Sequence, residues 1–127
     1  MPQRVITSHI VNPANDQITI TVMDEPGQGG ACHKYLVEFC KDSPIPHPTP
    51  SVEINFQNGP IAEAGVNGLT QEVLLAICID RLEGFQKGKF KCEDNELALQ
   101  YMKAAQNRLQ RRTRARMERG VEGTNKK

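Results

Sequence analysis

Six arginines crowd one short stretch of this 127-residue chain, RLQRRTRARMER. Four of them, Arg108, Arg112, Arg116 and Arg119, fall at i, i+4, i+8 and i+11, so a helix places them on one face. A guanidinium is a rigid fork of donors that matches two phosphate oxygens at once. Four on one ridge make a phosphate-binding surface. Two plainer readings stand beside it: a solvated face favoured by the negative end of the helix, and ion pairs to another subunit. Arginine dominates over lysine and Glu partners are few, which favours phosphate. The charge distribution agrees. Residues 1–107 carry eight Lys/Arg against thirteen Asp/Glu, and residues 108–127 carry eight against two, so a net of −5 sits beside a net of +6. A strongly basic end calls for an anionic partner or an acidic subunit surface.

Other residues add weaker signals. Phe85 and Phe90 lie in a loop with three lysines, and an aromatic beside basic groups can stack a base while the charges hold phosphate. Phe90 reads first as a plug between two helices; Phe85 reads equally as plug or platform. Asn95 reads first as a helix-capping residue, and second as an amide that hydrogen-bonds a ligand. RGVEGT, from Arg119 to Thr124, places two glycines after a helix end, either a stop with a frayed tail or a turn whose N–H groups face an anion. EPGQGG lacks the G-K-[ST] ending of a phosphate loop and precedes a strand, so it reads as a hairpin turn. Cys32 and His33 are adjacent and point to opposite faces of a strand, which rules out a dyad. His9 and His47 have no evident partners. Asp80 and Glu83 flank Arg81 as surface ion pairing does. No catalytic set emerges, and no metal site either, since Cys32, Cys40, Cys78 and Cys92 show no zinc-type spacing.

The elements that must carry these residues divide the chain in two. Gln17–Met23, His33–Cys40 and Ser51–Gln57 alternate apolar with polar and read as strands, with Ile10 and Val11 as a further edge strand. Strands joined by turns imply an antiparallel sheet with one wet face. DSPIPHPTP excludes helix and central strand between the second and third strands. The second half is helical. Thr70 caps a helix patterned by Val73, Leu74, Ile77, Cys78 and Leu82 and closed by Gly84. Asp94 caps a second helix that runs to about Glu118 and stops at Gly120, with Leu97, Tyr101, Ala104 and Ala105 along its early apolar face. Such a helix is about 37 Å long, as long as a domain of this size is wide (about 36 Å). Its arginine-rich end therefore meets something other than its own chain. The expected class is α+β: an N-terminal antiparallel sheet (about 10–58) packed on a C-terminal hairpin of two long helices (about 69–119), with a turn and tail at 120–127, all in a single domain.

Composition closes off several classes. Hydrophobic residues at 38% and charged residues at 24% fit a globular chain, not a disordered one. No apolar run reaches the roughly 18 residues of a membrane span, and the opening residues lack the apolar core of a secretory signal. A reduced, cytoplasmic protein with no metal and no cofactor is expected. Five per cent aromatics and no Trp make a light core, so oligomerisation is a plausible source of stability.

FQNGPI (56–61), GVNGLTQEVLLAICIDRLEGFQ (65–86), the C-x-x-N of Cys92 to Asn95 and RMERGVEGT (116–124), with DEPGQGGACHKY (24–35) upstream, resemble the phage Thoeris anti-defence sponges of the first-described type. The resemblance runs from about Ile18 to Thr124. The helical half is also similar to the hairpin of the anti-CBASS cyclic-oligonucleotide sponges, while the proline-rich Ser43–Pro50 departs from the family pattern. The resemblance implies a non-enzyme that holds a glyco-cyclic ADP-ribose immune signal without cleaving it, in the cytoplasm of the infected host. It also implies a ligand site at a dimer interface, assembly of dimers into a homohexamer, and, in some members, separate sites for cyclic di- or trinucleotides. By motif, Phe85 would stack on adenine, Asn95 would hydrogen-bond the ligand, and Arg112 and Arg116 would take the pyrophosphate. Arg119, Gly120, Val121, Glu122, Gly123 and Thr124 would line a pocket, and Arg108 belongs to the same basic face. The competing reading is a nucleic-acid-binding module on the arginine helix, disfavoured by the −5 elsewhere. A signal-hydrolysing enzyme lacks a base or metal, and a purely structural protein would use the arginines for assembly.

Overall fold

Alternation in the first half produces a meander. The computed structural model, which describes residues 4–39, 45, 48–120 and 122–124, has β1 (Arg4–Ile6), β2 (Ile18–Val22), β3 (Lys34–Phe39) and β4 (Ser51–Asn55) in one antiparallel sheet of order β1-β2-β3-β4. The register sets Ile6 opposite Ile20, Ile20 opposite Val37 and Val37 opposite Val52, so one face collects the apolar side chains. Val22 on β2 is fully buried, and Tyr35 meets Phe56 edge-to-face at 5.5 Å on that same face.

The edge strand is not the expected one. Arg4–Ile6 pairs with β2, while Ile10 and Val11 lie in the turn before α1 (Pro13–Asp16) and are exposed. Two apolar residues beside Asn12-Pro13 have no room to alternate, and the hydrogen bond from the Ile10 N–H to the Thr7 carbonyl turns the chain away. His9 does have a partner: its Nε2 lies 2.7 Å from the Ile18 carbonyl oxygen. Cys40, His47 and much of the proline-rich stretch lie outside the described residues.

The β2–β3 connection is a self-satisfied turn. The Asp24 carboxylate accepts the backbone N–H groups of His33 (3.0 Å) and Lys34 (3.2 Å), and the Gly27 N–H donates to the Ala31 carbonyl. Desolvation pushes the Asp24 pKa up, but these N–H donors and the adjacent His33 ring outweigh it and hold the carboxyl below its ordinary value. A second closure joins the two Asn-Gly pairs. Asn67 accepts from the Asn58 N–H (2.8 Å) and donates to the Asn58 carbonyl (2.7 Å), and the Asn67 N–H reaches Gln57 Oε1 (2.9 Å). Gly68 is required there, because a Cβ would lie 2.6 Å from the Phe56 carbonyl oxygen.

The chain forms two compact units. The sheet unit comprises residues 1–59 and 66–68; the helical unit comprises 60–65 and 69–127. The latter holds α2 (Ile61–Ala64), α3 (Gln71–Gln86) and α4 (Glu93–Glu118). The class is α+β, a four-stranded antiparallel sheet followed by helices that include a long C-terminal one. Thr70 is the N-cap of α3 as expected, its Oγ1 accepting the Val73 N–H. Gly84 does not end the helix: α3 continues to Gln86, and the Lys87 N–H caps the carbonyls of Glu83 and Gly84. Gln86 explains the extension. Its Oε1 accepts the Cys92 N–H at 3.1 Å and its Nε2 donates to the Cys92 carbonyl at 3.2 Å, so the last turn of α3 clamps the start of α4. Cys92, not Asp94, caps α4, its Sγ accepting the Asn95 N–H. Glu93, Asp94 and Glu96 occupy the first turn, where carboxylates suit the positive helix end.

The helix-to-helix seam has a 3.5-residue period. From α4 it takes Leu99 (6% exposed), Met102 and Leu109; from α3 it takes Leu75, Ile79 (8% exposed) and Leu82. The expected apolar face of α4 is rotated away from this seam, leaving Leu97, Ala104 and Ala105 exposed and Tyr101 at 71% exposure. On α3, Val73, Ile77 and Cys78 are likewise exposed. Both corrections have one cause. Polar residues sit in the seam, with Gln106 Nε2 donating to the Glu72 carbonyl, so the apolar count alone misplaces the buried face.

Candidate anion-binding site

All of the arginine stretch but Arg119, the C-cap residue, lies within α4, and the structure divides its members by role. Arg108, Arg111, Arg112 and Arg114, with Ala115 and Glu118, line an open groove of about 450 Å³ along the outer side of the helix. All four arginines are exposed, and among the described residues none makes an ion pair. Four guanidinia without carboxylate partners create a concentrated positive field open to an anion. Arg111 and Arg114 were not in the expected stripe. The signal for them is the run RRTR itself: residues three apart share a helix side as readily as residues four apart.

Arg116 is turned the other way. Its Nε donates to Glu122 Oε2 at 3.0 Å and a terminal nitrogen donates to the Thr124 carbonyl at 3.0 Å, with only 11% of the side chain exposed. The C-terminal turn is therefore built around Arg116. Gly120 and Gly123 adopt left-handed backbone (φ +72° and +81°) that reverses the chain after α4. The Gly123 carbonyl then accepts the Ala62 N–H at 3.0 Å, tying the turn to α2. This gathers Arg116, Glu122, Gly123 and Thr124 into one cluster, with Arg119 exposed at the helix end. Val121 lies outside the described residues.

Phe85 and Asn95 stand at the opposite end of the hairpin. Phe85 is half-buried, with the Arg81 guanidinium 5.0 Å from its ring centroid, a cation–π contact on one face. Asn95 is half-buried; its backbone N–H goes to the Cys92 cap, and among the described residues its side-chain amide has no hydrogen-bond partner. Phe90 does not plug the hairpin: it is 67% exposed beside Lys89. The Gln86 clamp fills that position instead. From Asn95 to Arg112 is seventeen helical residues, or about 25 Å. One chain thus places the aromatic and amide groups at one end of α4 and the basic groups at the other.

Among the described residues no helix is long and apolar enough to cross a membrane. Residues 48–114, more than half of the chain, match the Acb2/Tad1 hairpin domain. The chain is 45% identical over 74 residues to a protein named Thoeris anti-defense 1 from Bacillus phage SBSphiJ7, covering 58% of this chain and 52% of that protein. It therefore spans about half the length of the curated relative it matches. With β4, α3 and α4 as far as Arg114 inside the matched region, the chain belongs to the Acb2/Tad1 hairpin family.

Proposed function

We propose that this protein is an anti-defence sponge: it binds a cyclic nucleotide immune signal, of the glyco-cyclic ADP-ribose type, and sequesters it uncleaved, blocking Thoeris-type immunity in the cytoplasm of the infected cell. The observation that carries this reading is the unpaired arginine groove of α4 in a chain of this family. Paired phosphates suit bidentate guanidinium contacts, and the flat base suits stacking on an aromatic ring such as Phe85. A guanidinium stays protonated at neutral pH and is no general base, so the groove is suited to holding phosphates and not to activating water.

The 25 Å between Asn95 and Arg112 is longer than one cyclic ADP-ribose reaches, which supports a site shared by two copies. Phe85 and Asn95 would come from one chain and Arg112 from the other, with Arg108 beside it. Arg116, Glu122, Gly123 and Thr124 would shape the rim through the C-terminal turn. Sequestering a nanomolar signal takes about −12 kcal/mol, which a two-chain pocket reaches more readily than an open groove because it buries most of the ligand. Cyclic di- and trinucleotides are a second ligand class, taken at a separate site, and a homohexamer is the larger assembly the family suggests.

The test is retention. The purified protein is incubated with cyclic ADP-ribose isomers, freed of unbound ligand, heat-denatured and analysed by chromatography. Near-stoichiometric intact isomer supports sequestration and reveals the preferred linkage. A cleaved product makes the protein an enzyme. No retention, combined with DNA or RNA affinity that falls steeply with salt, transfers the arginine helix to nucleic acid.

A further inference from the structure

Phe85 and Asn95 sit on helix ends that their own neighbours secure poorly. Phe85 lies in the last turn of α3, directly after Gly84. Glycine inside a helix costs about 1 kcal/mol relative to alanine, and at this point it favours ending α3 before Phe85. Asn95 lies in the first turn of α4, whose cap is Cys92. A thiol is a weak acceptor, and its contact with the Asn95 N–H is long, at 3.4 Å. Serine, threonine, aspartate and asparagine cap more strongly. The connection between the helices adds little. The Gly88 N–H reaches the Phe85 carbonyl at 3.2 Å and the Lys91 N–H reaches the Gly88 carbonyl at 3.4 Å, while Lys87, Lys89 and Lys91 repel one another.

One side chain compensates at both ends. The Gln86 carboxamide accepts the Cys92 N–H and donates to the Cys92 carbonyl, pairing with both backbone groups of one residue. Its Nε2 also lies 3.4 Å from Glu96 Oε2, and Glu96 Oε1 accepts from Gln100 at 3.2 Å. An ionised carboxylate only accepts, so Glu96 fixes which end of the amide faces it, and with it the way Gln86 meets Cys92. Glutamate would keep the length but set an oxygen against the Cys92 carbonyl. Asparagine would keep the amide but fall one methylene short.

We infer that Gln86 is a positioning residue for ligand binding: by gripping Cys92 it keeps Phe85 on α3 and Asn95 on α4 at one fixed spacing. The grip carries α3 past Gly84, which places Phe85 on a helix and not in a loop. It also fixes the residue that caps Asn95. The inference rests on the reading above for what Phe85 and Asn95 do to a ligand, though not for the grip itself.

The experiment titrates variants with glyco-cyclic ADP-ribose and measures amide protection in the ligand-free protein. Gln86→Ala is expected to weaken binding roughly tenfold and to lower protection of the Phe85 and Asn95 N–H groups. Gln86→Glu is expected to weaken it further, because its carboxylate meets the Cys92 carbonyl and Glu96. Adding Gly84→Ala to Gln86→Ala is expected to return protection at Phe85 and part of the affinity. The new methyl group has room, since nothing lies within 4 Å of a Cβ there. Ile79→Val separates positioning from stability: removing a methyl group from the seam should lower the urea midpoint and leave affinity unchanged. Full affinity in Gln86→Ala, unchanged protection at Phe85 and Asn95, a double variant with no recovery at Phe85, or an equal loss of affinity in Ile79→Val would overturn the inference. If the wild type binds no glyco-cyclic ADP-ribose, the sponge reading falls, and the protection measurements alone decide whether Gln86 positions the two residues.

Discussion

In the sheet unit the strongest polar groups are satisfied by their own chain. Asp24 accepts from His33 and Lys34, and Asn67 both accepts from and donates to Asn58. In the helical unit Arg108, Arg111, Arg112 and Arg114 face outward with no ion pair among the described residues, and Tyr101 stands exposed beside them. The sheet closes its loops with hydrogen bonds that need no second molecule. The hairpin leaves its charge and its apolar surface for one. The family match covers the hairpin as far as Arg114 and only the last strand of the sheet, so the region with unmet contacts is also the region that defines the family.

The two units should therefore respond differently to substitution, and the largest effects are on folding. Leu99→Ala is expected to destabilise the hairpin by about 2–4 kcal/mol, because the seam leaves a cavity it cannot collapse; urea unfolding followed by helical circular dichroism measures it. Gly68→Ala should cost about 1–3 kcal/mol by forcing a methyl group onto the Phe56 carbonyl. Its effect should appear as faster amide exchange in β4 and leave α4 unchanged. If both variants loosened both units equally, the two would form one cooperative body and the contrast would fail.

Next in size are effects on binding. Arg112→Ala is expected to weaken cyclic nucleotide retention roughly ten- to a hundredfold by removing a charged hydrogen-bonding partner. Asp24→Asn in the sheet unit should leave it unchanged. Isothermal titration of both variants sharpens the comparison: equal losses would mean that binding is not confined to the hairpin. Arg116→Ala should cost roughly 1.5 kcal/mol through the lost bonds to Glu122 and Thr124 and should raise proteolysis after Glu118. Arg116→Lys should not rescue it, since an ammonium cannot reproduce the planar fork.

The smallest effect is one of pH. The Asp24 carboxyl is held below its ordinary value of 3.8, so its stabilising contribution is complete above that pH and is lost as pH falls through the lower folded value. The β2–β3 turn should loosen in acid below about pH 4. Asp24→Asn should flatten that dependence in amide exchange of His33 and Lys34.

Much of this molecule is legible in its sequence, for local reasons. Period-two alternation marks β2, β3 and β4, Thr70 marks the start of α3, and Gly120 marks the end of α4, because each depends on a few neighbouring residues. Where a signal is local but ambiguous, tertiary contacts decide: Gly84 has the chemistry of a helix stop but Gln86 clamps the next helix and extends α3, and Ile10-Val11 has the composition of an edge strand that Arg4–Ile6 supplies instead.

The sequence by itself determined that the chain is half sheet and half helix, that its positive charge lies at one end, and that this charge is carried by a helix. Those properties follow from composition and periodicity, which neighbouring residues set among themselves. Tertiary structure alone decided which side of α4 is buried, since polar Asn95 and Gln106 share the seam with Leu99 and Leu109. It decided that Arg116 is held by Glu122 and Thr124 while Arg112 stays open, although both lie on the same helical ridge. Helical spacing gives only an angle around an axis. Whether a side chain at that angle meets protein or solvent depends on what else the chain folds against it.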